Sequence, residues 1–149
     1  MRSSLNALGI VAVIALAPIA RAEDSPDDLI GGYTVVSGEK YGVPEPEDRV
    51  EGTIVRITSD AIVVTTKDKK DVYAASYKIE SRKRPWRITM TSKLAPNEGE
   101  VAQGLIDKEG DTVRLIYSLP GGQVPTEFKT QEKQLMFVMK NENPKKGTD

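Results

Sequence analysis

The chain has 149 residues with 21 basic and 22 acidic side chains, a formal net charge of −1, and neither histidine nor cysteine. Those absences remove the usual zinc ligands, Cys-His pairs, the Ser-His-Asp triad and every disulfide. The balanced charge offers no surplus for a polyanion, so nucleic acid is not an expected partner.

Residues 1–22 read as an export signal. Arg2 supplies the positive start, an apolar run from Leu5 to Ile19 follows, and Ala20-Arg21-Ala22 places small residues where a signal peptidase reads, with cleavage before Glu23. A membrane helix needs about 20 apolar residues, more than this run holds. A lipid anchor at the cleavage site would need a cysteine. Loss of Arg2 and Arg21 leaves 19 basic against 22 acidic residues, or −3, on a mature chain of 127 residues. That length suits one domain, which at this size buries about two-thirds of its unfolded surface. No stable membrane insertion is expected once the signal is gone, and the compartment is periplasmic or extracellular.

Ser25-Pro26-Asp27-Asp28 is a helix start, with a capping hydroxyl, proline at the first position and acids in the first turn. Gly31 and Gly32 stop it after about one turn. From there the pattern is strand and turn. Strands are predicted at 33–37, 53–58, 61–66, 72–80, 86–91, 101–107, 112–117 and 134–139, rich in β-branched residues and separated by Gly, Pro, Asn, Asp or charged turns. In the fourth of these Tyr73, Ala75, Tyr77 and Ile79 share one face. About eight short strands at this spacing, without a long amphipathic helix, make an all-β barrel or sandwich over residues 23–140, with a polar tail at 141–149.

Two stretches carry a resemblance. Leu29-Ile30-Gly31-Gly32-Tyr33-Thr34-Val35-Val36-Ser37-Gly38-Glu39, with Gly42-Val43-Pro44 after it, resembles the start of the lipocalin-like domain found in secreted planctomycete proteins. Gly104-Leu105-Ile106-Asp107 with Gly110-Asp111-Thr112-Val113-Arg114-Leu115, and then Pro125-Thr126-Glu127-Phe128, resembles a strand-turn-strand and loop of that family. The family usually has Trp in place of Tyr33, Arg in place of Val124 and Arg near Lys140. The resemblance implies an up-and-down antiparallel barrel and no particular activity. It also implies a plug at one end of the barrel, with Tyr33 closing it and Lys140 lying across the ring.

Candidate sites are few. Asp107-Lys108-Glu109-Gly110-Asp111 alternates like a calcium loop, but 112–117 lack the bidentate acid such a loop needs, so a hairpin turn is expected and no metal. Arg82, Lys83, Arg84 and Arg87 around Pro85-Trp86 offer a grip for an anion with the indole stacked on it; a basic turn also serves simply to keep a sheet edge soluble. Glu45, Glu47, Asp48 and Glu51 are placed to pair with that basic turn across a barrel mouth. An eight-stranded barrel is filled by its own side chains or holds one small ligand, and Tyr73, Tyr77, Trp86, Met90, Tyr117 and Phe137 are the large residues available to line it. No catalytic motif and no cofactor emerge. Two readings follow: a secreted, non-enzymatic barrel for a small apolar or amphipathic ligand, or a structural or interaction module of the cell envelope with a filled interior and an unidentified protein or polysaccharide partner.

Overall fold

A computed structural model describes residues 24–143; the expected signal segment and residues 144–149 lie outside them. A 3-10 turn, Pro26–Leu29, opens the chain. Then come β1 Gly31–Lys40, β2 Val43–Pro44, one helical turn α1 Glu47–Val50, β3 Ile54–Ile57, β4 Ala61–Thr65, β5 Asp71–Glu80, β6 Trp86–Ser92, β7 Val101–Glu109, β8 Thr112–Ser118 and β9 Gln134–Asn141. Every pairing from β3 to β9 joins neighbours in sequence and is antiparallel; β1 pairs with β3 on one side and β9 on the other. This is a closed up-and-down barrel of eight strands, with β2 outside it. Closure leaves almost no free sheet edge.

The expected strands are all present, and two elements are additional. β2 and α1 lie between the first two expected strands, in the stretch that holds Glu45, Glu47, Asp48 and Glu51, and they connect β1 to β3. The last strand also runs on to Asn141, which donates its N–H to the Asp111 carbonyl, so the first residue of the expected tail is part of the sheet.

Alternation sets the inside of the barrel. Val55, Ile57, Ile62, Ala75, Ile88, Met90, Ile106, Val113, Leu115 and Met139 all point inward and are buried. β1 changes phase midway. Val36 is the extra residue where the pairing with β9 slips between Val35 and Ser37. Tyr33 and Val35 are therefore inward before this bulge and Gly38 after it, while Val36 stays exposed. At Gly104, an inward position of β7, a Cβ would collide with the Ile116 carbonyl oxygen and sit 2.8 Å from the Tyr117 Cα. Only glycine lets β8 approach that closely.

The two barrel ends differ. At the closed end the 3-10 turn lies over the opening: Leu29 and Tyr33 are wholly buried, and the Tyr33 hydroxyl donates to the Leu29 carbonyl at 2.8 Å. Tyr77 donates to the Thr58 carbonyl nearby. Both limits of the described chain are at this end, Asp24 against Arg84 and Lys108, and Asn143 beside Asn141. At the other end, the mouth, four connections gather, the longest being residues 119–133.

That connection is a strap across the outer wall. Leu105 and Ile116 are paired on the outward face of β7 and β8, yet both are buried. Residues 119–133 cover them: Pro125 is buried, and the Phe128 ring lies 4.2 Å from the Arg114 guanidinium. Gln134 holds the strap through Gln123 and Gln131. Glu39 accepts the Thr130 N–H at 2.9 Å and its hydroxyl proton, and Thr130 Oγ1 in turn accepts the Gly42 N–H at 2.7 Å.

Candidate functional site

The six large residues expected to line the interior divide between the two ends. Tyr73 on β5, Tyr117 on β8 and Phe137 on β9 meet at the mouth. The Tyr73 and Tyr117 rings are nearly parallel, 19° apart with centroids at 6.3 Å, and Phe137 stands 6.4 Å from Tyr117. Met90 is the floor beneath them, its sulfur 4.0 Å from the Tyr73 hydroxyl. Tyr77 and Trp86 belong to the closed end instead: Tyr77, whose hydroxyl reaches the Thr58 carbonyl, precedes only Ile79 among the inward positions of β5, and Trp86 is the first inward position of β6.

The three mouth rings are only partly covered, whereas Tyr33, Ala75, Met90, Ile106 and Val113 have no exposed surface at all, so no water-sized void adjoins them. The interior is filled from the closed end up to Met90. Above it lies a cup of about 140 Å³ lined by Tyr73, Ser92, Ala102, Tyr117 and Leu119, with Asn97 and Glu100 on its rim.

Burial pushes the Tyr73 phenol up from its ordinary pKa, and pushes Tyr117 up further, with Tyr73 beside it as a second cause. Both are neutral donors across the physiological range. Among the described residues Tyr117 Oη has no protein hydrogen-bond partner, yet no fully enclosed side-chain polar atom is left without one. That hydroxyl therefore opens onto accessible space. The cup is an apolar recess with one hydroxyl to offer.

The wall residues Ser92 and Ala102 were not singled out from the sequence. A signal existed: Ser92 is in phase with Trp86, Ile88 and Met90, and a polar residue at the end of an inward series marks the mouth of a barrel.

Three sequence expectations are corrected. Lys140 does not cross Tyr33: it pairs with Thr34, one residue out of phase, and is exposed on the outer face, while Tyr33 faces Asn141. The acidic group Glu45, Glu47, Asp48 and Glu51 does not meet the basic turn, because it is at the mouth and residues 82–85 are at the closed end; Glu45 pairs with Arg49 instead. Trp86 is not free to stack on an anion, since it points into the barrel and is buried. The acids at 107–111 belong to a hairpin whose Gly110 has φ +58°, and Asp107 is bonded to Arg114 at 3.0 Å.

Fold and cup together define a closed antiparallel barrel with one sealed end and one aromatic-lined mouth. No protein-family model, curated protein or solved structure matches the chain.

Proposed function

We propose that this is an exported, non-enzymatic, lipocalin-like barrel that holds one end of a small apolar or amphipathic molecule in its mouth. The observation that carries the reading is the trio Tyr73, Tyr117 and Phe137, left partly uncovered above an otherwise filled interior. The size of the cup limits the guest. A cavity of roughly 150 Å³ takes a benzene ring, whereas sites for drug-sized ligands span about 300–1,000 Å³. One ring or a short alkyl end enters, the Tyr117 hydroxyl meets a polar atom on it, and the remainder lies out over Asn97 and Glu100. Export rests on the sequence of residues 1–22.

The filled lower barrel favours a second reading, a structural or interaction module of the cell envelope that holds no guest. Organic extraction and mass spectrometry of the exported protein, with an NMR titration of 4-methylphenol, separate the two. The binding reading expects a co-purified molecule or saturable shifts at Tyr73, Ala102 and Tyr117, abolished in Ala102→Leu, which fills the cup. An empty extract with no shifts leaves the second reading in place.

A further inference from the structure

Outside the barrel, charge is sorted in a way the overall balance hides. Lys78 on β5, Arg87 on β6 and the turn residues Arg82 and Lys83 share one face, and Glu80 is the one acid among them. They line two adjoining surface recesses with Glu80 and Arg87 in common. One, of about 320 Å³, runs up β5–β7 past Thr89 and Gln103 to Val124 on the strap; the other, of about 310 Å³, lies over the turn at Pro85.

Cross-strand pairing fixes the layout. Lys78, Thr89 and Gln103 form one outward row, and Glu80 and Arg87 begin the next. Among the described residues only Arg49, Arg84, Lys108 and Arg114 have a carboxylate within 4 Å. Lys78, Arg82, Lys83 and Arg87, like most of the surface cations, have none, and here they lie side by side.

We propose that this groove binds an extended anionic glycan, one bearing carboxylate or sulfate groups along its length. The cations are strung over about 13 Å of strand, four residue steps from Pro85 to Thr89, rather than converging on one point. That spacing suits repeated charges and not a single phosphate. Thr89 and Gln103 place side chains that exchange hydrogen bonds with sugar hydroxyls between the charges. A nucleic acid is the poorer fit, because single-strand sites stack bases on exposed aromatics and the one indole here faces inward. The site is independent of the mouth cup, on a different face.

Affinity measurements on the purified full chain test this, with polygalacturonate for carboxylate, dextran sulfate for sulfate, and uncharged dextran and a single-stranded DNA oligonucleotide as comparisons. Binding to at least one charged glycan is expected, falling tenfold or more between about 20 and 200 mM salt as counterions are released; which of the two binds names the anion. The double variant Lys78→Gln/Arg87→Gln should weaken binding at least tenfold, with unchanged melting because both side chains are exposed. Lys67→Gln/Lys69→Gln, at the mouth, should stay within twofold of the parent. No binding to either charged glycan, equal weakening in the mouth variant, or tighter binding of the oligonucleotide would overturn the proposal.

Discussion

The Arg84 guanidinium lies 5.2 Å from the centroid of the Trp86 ring and reaches Asp24 at 3.3 Å, so a cation, an indole and the start of the described chain cover the closed end together. A basic residue does cross an aromatic at this end, but both partners come from the β5–β6 hairpin, and neither Tyr33 nor Lys140 is involved. The burial of the indole is the large term. Trp86→Ala should cost about 3–5 kcal/mol, and Arg84→Ala, exposed and solvent-screened, under about 1. Denaturant melts of the pair measure both; comparable losses would mean the ion pair, not ring burial, seals this end.

Tyr33 contributes through its ring and its hydroxyl separately. Tyr33→Phe leaves the buried Leu29 carbonyl without its donor and should cost about 1–2 kcal/mol, Tyr33→Ala about 3–5, and exposed Lys140→Ala no more than about 0.5. Burial, with Asp28 nearby, pushes the Tyr33 pKa from 10.0 up to about 12. A raised folded pKa means the folded state keeps its proton longer than the unfolded chain does. The stabilisation is therefore complete below pH 10 and is lost as pH rises towards 12. Melts across that window should show the parent losing stability more steeply than Tyr33→Phe.

Gly104→Ala should destabilise by about 3 kcal/mol or prevent folding, because its Cβ has only backbone to push against and overpacking rarely costs less where nothing can yield. Gly99→Ala, an exposed turn position with φ +87° and open space around it, should cost about 1 kcal/mol from backbone strain alone. Thermal unfolding of the two variants checks the contrast.

The strap should loosen in acid. Hydrogen bonds from the Thr130 hydroxyl and N–H hold the Glu39 carboxyl below its ordinary 4.5. A depressed folded pKa gives stability that is present above the unfolded value and is lost as pH falls through the folded one. Thr130→Val should cost about 1–2 kcal/mol at neutral pH. Glu39→Gln should be less stable than the parent at neutral pH and flatter below pH 4.5. Hydrogen exchange at the Thr130 and Gly42 amides reports the same event; unchanged protection at low pH would count against it.

The hairpins were legible because local chemistry determines them: β-branched runs such as Ile54–Ile57 and Ala61–Thr65, with Ser59-Asp60 between, need no distant partner to be recognised. Facing was harder. Leu105 and Ile116 look like interior residues on the wrong side of their strands, and only the strap accounts for them; residues 119–133 have no periodicity to announce what they cover. The bulge at Val36 likewise breaks an alternation that would otherwise place the whole of β1. Two members of the cup, Tyr73 and Tyr117, were identifiable as large residues in inward phase, but their separation from Tyr77 and Trp86 depends on where along the axis each strand begins, which only the cross-strand register supplies.

Because Asp24 and Asn143 both leave the barrel at its sealed end, attachment through either side of the described chain has the same orientation. A support, a fusion partner or a surface joined there would stand behind the barrel and leave the opening facing the surrounding medium. Captured by either end, the protein would meet dissolved molecules mouth first, with the strap along its flank still uncovered.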